Sequence, residues 1–184
     1  IENQVALVND VSATAGLTQG ALNSTHAKFG DMSQSLITQV MSGASYHGLI
    51  GEALTNGAQL FSSETVTVID ILGKRIVVSD IPALYEAGTP NKAKVLTLVN
   101  GAVMVSDNGD LITNIETSNG NERIETTFQA DYTFQIGLKG YAWDAVNGGS
   151  SPDDAALATG TNWDKAVAYD KHTAGVLTVA DADQ

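Results

Sequence analysis

Carboxylate side chains have the clearest capacity for chemistry in this chain, and one group lies within four consecutive positions. Asp107, Asn108 and Asp110 offer oxygen ligands around Gly109, as the start of a calcium-binding loop does. A calcium loop of the hand type spreads its ligands over about twelve residues and ends in a bidentate acid, whereas apolar Leu111 follows Asp110 here. The pattern therefore predicts a turn, and Asn-Gly between two strands is typical of a hairpin. A calcium-dependent β-rich binding domain remains an alternative.

Three glutamates, Glu116, Glu122 and Glu125, form a second acidic group that could pair for general acid–base catalysis. Such chemistry also needs an activated nucleophile or another positioned reactive group, and the sequence contains no such signature. Glu116 and Glu125 are more typical of a solvated sheet face, or of a surface that meets a basic group on a neighbour. A small hydrolase with paired carboxylates is the weaker interpretation.

Metal and thiol chemistry has little support in the sequence. His26, His47 and His172 are far apart, and none has a second histidine or a glutamate at metal-binding spacing. The chain has no cysteine, which excludes disulfides, thiolate zinc sites and cysteine nucleophiles. We therefore predict no catalytic, cofactor-binding or metal-binding residue, and a protein that is not an enzyme.

Composition favours a folded, acidic protein. Of the 184 residues, 43% are hydrophobic and 16% are charged. The hydrophobic fraction is enough to form a buried core. Nine Lys and Arg against 21 Asp and Glu give a net charge of -12, and such a surface repels phosphate backbones. We predict no direct nucleic-acid binding, and no membrane partner because no apolar run reaches the ~18 residues of a membrane span. The start at Ile1 indicates a cleavage product or a boundary within a longer protein.

The elements that must position these residues begin with a helical edge. Apolar spacing in residues 21–36 predicts one bent helix or two short ones, with Asp31 after Gly30 as a cap of the second. Residues 37–43 alternate as a short strand. Ser42 can then cap a helix over residues 44–56.

The middle of the chain predicts sheet. Gly73 is expected in the tight turn of a hairpin, between Val66–Leu72 and Lys74–Ser79, because glycine tolerates a positive φ. Asp80 and Pro82 end the second run. Residues 93–105 form one long strand or a pair broken at Asn100 and Gly101, residues 118–121 form a turn, and residues 123–143 are rich in β-formers.

The last part predicts a short helix and a closing strand. Ser151 is expected to cap a helix over residues 152–158, with Pro152 in its first turn. Trp163 is expected to be a buried anchor between that helix and a strand over residues 172–180. The whole pattern predicts an α+β fold, with a mixed or antiparallel sheet and flanking helices.

Six stretches, in order along residues 20–180, resemble the major capsid proteins of tailed phages with the Hong Kong 97-like fold. They are FGDMSQSLITQVMSGASYHGLIGEALTN, IDILGKRIVVSDIPAL, VLTLVNGAV, Ile115-Glu116-Thr117, GLKGYAWDA and SSPDDAALATGTNWDKAVAYDKHTAGVLTV. The matching positions expected to have structural roles are Gly30, Asp31, Gly73, Asp80, Pro82, Gly101, Trp143, Pro152 and Trp163.

The resemblance implies a shell protein. It assigns residues 1–36 to the end of a peripheral-domain segment that includes the end of the spine helix. Residues 37–184 would be the axial domain with a return to the peripheral domain. An N-terminal arm and an extended loop would lie upstream, so this chain alone is expected to be a monomer, or a weak ring of five or six at high salt.

The same resemblance implies partners and a location. Full-length copies would form pentamers and hexamers of an icosahedral shell around the double-stranded DNA of a tailed phage or prophage. Scaffold, portal and decoration proteins would be further partners, and assembly would take place in the cytoplasm of the host bacterium. An encapsulin-type compartment, which shares the fold and encloses an enzyme cargo, is the alternative.

Overall fold

Regular structure in this chain is mostly β, with short helices between the strands. The computed structural model describes residues 1–55 and 73–183. The α-helices are α1 (Gln19–Ala27), α2 (Gly43–Thr55), α3 (Ala145–Gly148) and α4 (Asp154–Ala158). The strands are β1 (Val8–Asp10), β2 (Leu36–Met41), β3 (Arg75–Val78), β4 (Tyr85–Glu86), β5 (Lys92–Val99), β6 (Val103–Asp107), β7 (Ile112–Asn119), β8 (Ile124–Asp131), β9 (Phe134–Leu138), β10 (Tyr141–Trp143), β11 (Trp163–Lys165) and β12 (Gly175–Asp181).

The chain divides into two compact units. Residues 1–102 and 139–184 form the first, which we call the sheet unit, and Val103–Leu138 form the second, which we call the hairpin unit. The predicted division of the sequence into peripheral and axial parts, at residues 36 and 37, stays a prediction.

A mixed sheet organises the sheet unit. Its described strands run in the order β1-β12-β5-β2-β3, and β4 also pairs with β5. β12 and β2 are antiparallel to β5, whereas β1 is parallel to β12 and β3 is parallel to β2. All seven residues of β12 are buried, as expected for a strand covered on both faces. The predicted α+β class and the closing strand are confirmed.

The core of the sheet unit forms where α1 and α2 cover the sheet. Its buried cluster consists of Leu17, Leu22, Met41, Leu49, Val95 and Ala180. Burial alternates along β5, so that Ala93, Val95, Thr97 and Val99 are buried and the residues between them, Lys94, Leu96 and Leu98, are only partly so. This alternation is the period-2 pattern of a strand with one covered face.

The start of the helical edge differs from one of the two predicted forms. α1 ends at Ala27, and a separate 3₁₀ helix covers Gly30–Ser35, so residues 21–36 are not a single bent helix. Gly30, the first residue of the 3₁₀ helix, has a φ of 60°, a conformation that glycine adopts without steric cost. Asp31 does not cap the second helix, because its carboxylate is engaged by Lys171, 3.0 Å away.

The start of α2 confirms the predicted cap and gives Asp80 a role. The Ser42 hydroxyl accepts a hydrogen bond from the Ser45 amide at 3.2 Å. Asp80 adds a second acceptor, since its Oδ1 takes the Gly43 amide at 2.8 Å. Both contacts satisfy amides that the helix itself leaves unpaired, and the carboxylate also faces the positive end of the helix dipole.

The hairpin predicted around Gly73 is only partly within the described residues. Gly73 has a φ of 70°, in the left-handed region that glycine favours. The first predicted arm, Val66–Leu72, lies outside the described residues. Gly101 has a φ of 67° in the turn between β5 and β6, and Pro82 begins a 3₁₀ turn over Pro82–Leu84.

The hairpin unit corrects the predicted pairing around Asn108 and Gly109. The loop over residues 108–111 joins β6 to β7, but these two strands do not pair with each other. β7 pairs with β8, from Ile112↔Asp131 to Asn119↔Ile124, and β6 pairs with β9, from Val103↔Leu138 to Asp107↔Phe134. The true hairpin turn is at residues 120–123, where the Gly120 amide donates to the Arg123 carbonyl at 2.9 Å.

The short helix near the end begins later than predicted. α4 starts at Asp154, and its cap is Asp153, whose carboxylate accepts the Ala156 amide at 2.8 Å. Ser151 therefore does not cap this helix, and Pro152 lies just before it. An aspartate is as good a cap as a serine, and here it is two positions closer to the helical residues.

Candidate assembly surfaces

The acidic loop of the hairpin unit is closed by its own hydrogen bonds. Asp110 accepts from the Thr133 hydroxyl and, at 2.9 Å, from the Thr133 amide. These two bonds hold the pKa of Asp110 below its usual value. Asp107 accepts the Gly109 amide at 2.8 Å, and Asn108 donates to the Thr133 hydroxyl at 2.9 Å. The loop is thus hydrogen-bonded to Thr133 on the returning chain.

This arrangement explains the residues that resembled part of a calcium loop. Within residues 1–55 and 73–183, no group of three or more His, Asp or Glu side chains is arranged to hold a metal ion. The carboxylates at both ends of the 107–110 segment are used by neighbouring donors, as in an Asx turn.

The three glutamates of the possible hydrolase lie on an open ribbon. Glu116 and Glu125 are exposed residues of β7 and β8, on the same face and diagonal to one another in the ladder. Arg123 pairs with Glu125 at 3.4 Å, and Glu122 is exposed in the turn. Paired catalytic carboxylates are expected in a concave site that excludes water, and this surface has no such shape.

The β7–β8 ribbon has two chemically different faces. Side chains that are directly opposite in the ladder share a face, and successive residues alternate between faces. One face, which we call the neutral face, contains no charged residue. Its members are Thr113, Ile115, Thr117, Asn119, Ile124, Thr126, Phe128 and Ala130.

The opposite face, which we call the acidic face, carries the charge of the ribbon. Its members are Ile112, Asn114, Glu116, Ser118, Glu125, Thr127, Gln129 and Asp131.

On the neutral face Ile115 is 67% exposed, Ile124 71% and Phe128 64%. Large apolar side chains of this kind, grouped on one face, are typical of a surface that contacts another molecule.

The β6–β9 ribbon repeats the segregation. Val103, Val105, Phe134, Ile136 and Leu138 share one face, with Asp107 at its end. Met104 and Ser106 share the other with Gln135 and Gly137. Every residue of β6 is exposed, so this apolar face is also open along that strand.

These apolar faces were not predicted from the sequence. The signal was partly visible, because Ile112, Ile115, Ile124 and Phe128 are large apolar residues among polar ones. Ile112 and Ile115 belong to opposite faces, however, and the partner of each strand becomes known only from the register of the ladder.

The two tryptophans form a pair. Trp143 of β10 is directly opposite Trp163 of β11, with ring centroids 5.0 Å apart in an edge-to-face arrangement. The Trp163 indole donates to the Leu157 carbonyl at 3.0 Å, and the Trp143 indole donates to the Gly149 carbonyl at 2.8 Å. Both tryptophans are partly exposed, so Trp163 is less buried than predicted. Its indole nevertheless holds the end of α4 through the hydrogen bond to the Leu157 carbonyl.

One histidine is buried in the sheet unit. His26 is 6% exposed, and its Nε2 is 3.2 Å from the Gln39 amide nitrogen. Burial, together with repulsion from Lys74, lowers the pKa of His26 to about 4. His47 and His172 are exposed. A neutral imidazole that accepts from Gln39 suits a structural role.

Two lysines of the sheet unit are paired with carboxylates. Lys94 lies between Glu2 and Glu86, at 2.7 and 2.8 Å, and Lys171 pairs with Asp31. The bond from Lys171 holds the pKa of Asp31 below its usual value.

In the part of the chain that is described, no helix is both long and apolar enough to span a membrane.

A known shell protein has a similar fold. The chain resembles a chain of the holo-SrpI encapsulin complex from Synechococcus elongatus PCC 7942, with a TM-score of 0.51 and 10% sequence identity. The likeness covers 97% of this chain and 53% of that chain, so this chain spans about half the length of its structural neighbour. At such low identity the likeness is evidence for the fold alone. No curated protein sequence matches the chain.

The family comparison is consistent with the resemblance seen in the sequence. The Gp13-like family model, described as major capsid protein 13-like, matches residues 1–177. That range includes the whole hairpin unit with its two ribbons, the tryptophan pair, and the sheet unit except for its last seven residues. The chain therefore belongs to the Gp13-like family of major capsid proteins.

Proposed function

We propose that this chain is part of the coat of a tailed phage or prophage. In full-length form, many copies pack into pentamers and hexamers of an icosahedral shell with the Hong Kong 97-like fold, and the shell encloses double-stranded DNA. The match of the major capsid family over residues 1–177 carries this proposal. The fold shared with a shell-forming protein supports it.

The role is structural, and the chain is not an enzyme. The candidate acids support this view, because Asp107 and Asp110 are held by loop hydrogen bonds and Glu116 lies on an exposed ribbon. Gly30, Asp80 and Trp163 instead make the turns, caps and packing contacts that hold the fold. The mature product is expected in the virion capsid, after assembly in the cytoplasm of the host bacterium with scaffold, portal and decoration proteins.

The net charge of -12 fits the inner or outer wall of a shell that holds DNA without gripping it. We expect no complex with duplex DNA in a gel shift at physiological salt, even at high protein concentration. Retention that is tight and weakened by salt would contradict this part of the proposal.

The shell itself is tested by electron microscopy of particles from cells that encode the full-length protein. An antibody raised against this chain is expected to label isometric particles. Nuclease treatment followed by extraction is expected to release double-stranded DNA from them. Labelled filaments or free protein only, with no closed particles, would contradict the coat assignment.

An encapsulin-type compartment is the second candidate, and the similarity in fold to the encapsulin chain favours it. The two candidates differ in their contents. Labelled particles that hold an enzyme and no nuclease-resistant DNA would support the compartment, whereas particles with DNA and attached tails would support the phage coat.

A further inference from the structure

The large apolar side chains on the neutral face of the β7–β8 ribbon are exposed to solvent. An isolated two-stranded ribbon is marginally stable in water, because its ladder leaves both faces wet. Here Phe128, Ile115 and Ile124 add exposed apolar surface, at 64%, 67% and 71% of their accessible areas. Such a face gains most if it is removed from water by another surface.

The distribution of charge limits what that surface can be. The hairpin unit carries six acidic residues and one basic residue, and the whole chain has a net charge of -12. Two copies that approached through their acidic faces would place Glu116, Glu125 and Asp131 against like charges. The neutral face carries no charge, so it is where two copies of the ribbon can approach without this repulsion.

We propose that the neutral face of the β7–β8 ribbon is a contact between copies of this chain, with the same face of a second copy as its occupant. The face is suited to pairing with itself, because it combines large apolar groups with threonines and needs no oppositely charged partner. This inference rests on the proposed function, in which many copies of the chain lie side by side.

The small area of the neutral face limits the strength of the contact. Eight residues per strand extend over about 26 Å, and two strands are roughly 10 Å wide. The resulting area of about 260 Å² is well below the ~800 Å² per partner of a standard stable interface. One such contact is therefore weak in solution and becomes effective only when it is repeated around a shell.

Adjacent residues on opposite faces provide a matched test. Thr117 lies near the middle of the neutral face, opposite Thr126, and Ser118 lies on the acidic face, opposite Glu125. Both are exposed, and the chain has no natural cysteine, so Thr117→Cys and Ser118→Cys each introduce a single thiol. Maleimide labelling is compared in the free chain and in assembled shells of the full-length protein.

In the free chain both thiols should be accessible to the reagent, and the rate of each variant in shells is compared with the rate of the same variant in the free chain. In shells, the rate at Thr117→Cys should fall at least tenfold, whereas the rate at Ser118→Cys should change little. On prolonged incubation, a short bismaleimide that has reacted with one of these slow thiols should reach the second thiol across the contact and join Thr117→Cys copies into a dimer of twice the subunit mass. Protection already present in the free monomer would mean that the same polypeptide covers the face, and a cross-link to a different protein would mean a foreign partner. Either result overturns the proposal.

A second pair of variants is independent of cysteine chemistry. Phe128→Gln removes apolar surface from the neutral face, and Thr127→Gln places the same side chain on the acidic face next to it. At high concentration of the free chain, sedimentation equilibrium should show self-association weakened at least threefold by Phe128→Gln and not by Thr127→Gln. Equal behaviour of the two variants would overturn the inference.

The outcomes for the inference and for the proposed function can be told apart. Shells that form with Thr117→Cys still fully reactive would refute the docking face and leave the coat assignment intact. If the unsubstituted full-length protein formed no shells, the coat assignment would be refuted. The sedimentation comparison would then decide by itself whether the neutral face contacts a second copy.

Discussion

The strands β12 and β7 are of similar length, and their surroundings are opposite. All seven residues of Gly175–Asp181 are buried, whereas all eight residues of Ile112–Asn119 are exposed. Each strand is paired along its whole length with one neighbour, β12 with β5 and β7 with β8. Hydrogen-bonded strand structure therefore does not by itself indicate a core in this protein, and the two units must be stabilised differently.

The sheet unit is stabilised from inside. Its helices cover a cluster of buried aliphatic side chains, and removal of any of these leaves a cavity. The hairpin unit has ladder bonds, loop bonds around Thr133 and exposed apolar faces. Its exposed apolar residues contribute little in the free chain, and we propose that those of the neutral face make contacts between copies.

The largest expected difference between the units comes from phenylalanine truncation. Phe29 is 1% exposed in the sheet unit, so Phe29→Ala should lower the free energy of unfolding by about 3–5 kcal/mol. The matched change in the hairpin unit, Phe128→Ala, should cost less than about 0.5 kcal/mol in the free chain. Urea unfolding at pH 7 measures both. Equal losses would show that Phe128 is covered in the monomer and would remove the contrast between the units.

Glycine substitution gives the next largest contrast. A Cβ added at Gly175 would lie 2.0 Å from the backbone carbonyl oxygen of Thr97, so Gly175→Ala must force β12 away from β5. We expect a loss of about 3 kcal/mol, at the upper end of typical overpacking costs. Gly109 in the hairpin unit has open space around it, and Gly109→Ala should cost only about 1 kcal/mol for its positive φ. Thermal unfolding of the two variants makes the comparison, and a more harmful Gly109→Ala would contradict it.

Acid should weaken the sheet unit selectively. The folded chain keeps His26 neutral down to about pH 4, whereas an unfolded histidine becomes protonated near pH 6.5. Stability is therefore fully present above pH 6.5 and falls as the pH is lowered towards 4, by about 2 kcal/mol at pH 4.5. Residues 103–138 contain no histidine, so this loss belongs to the sheet unit.

Denaturant unfolding at pH 7.0, 5.5 and 4.5 measures the loss, and nuclear magnetic resonance follows the three imidazoles. His47→Asn is the control, because it removes an exposed imidazole and keeps the buried one at position 26, so the loss due to His26 should remain. Titration of His26 near pH 6.5 would contradict the prediction.

The smallest expected effect comes from surface ion pairs in both units. Asp31→Asn removes the pair with Lys171 in the sheet unit, and Arg123→Gln removes the pair with Glu125 in the hairpin unit. Each variant should change the melting temperature by no more than about 1 °C, because exposed pairs are screened by water and salt. A shift of several degrees for Asp31→Asn alone would mean that this pair fixes the position of the 3₁₀ helix.

Local signals in the sequence were sufficient for several elements. The Ser42 cap and the spacing that follows it predicted α2, and the apolar run near the end predicted β12. The left-handed glycine at position 73 was also predicted, because only local backbone sterics are involved. Resemblance to the capsid family depended on short motifs of this local kind.

Contacts between distant residues could not be predicted in this way. Asp31 is of a residue type that often caps helices, but its carboxylate pairs with Lys171. Trp163 lies opposite Trp143 in the antiparallel pair of β10 and β11. The dipeptide Asn108-Gly109 is a typical hairpin-turn sequence, yet the strands on its two sides, β6 and β7, pair with β9 and β8 instead of with each other.

The sequence by itself determined the class of the fold, the acidity, the lack of cysteine chemistry and the positions of most strands. Only the tertiary structure decided which strands are buried and which apolar residues share a face. The physical reason is that strand propensity depends on neighbours along the chain, whereas burial and facing depend on the register between segments far apart in sequence. Ile115 and Phe128 are thirteen positions apart and become one apolar surface only because the β7–β8 ladder sets them opposite each other.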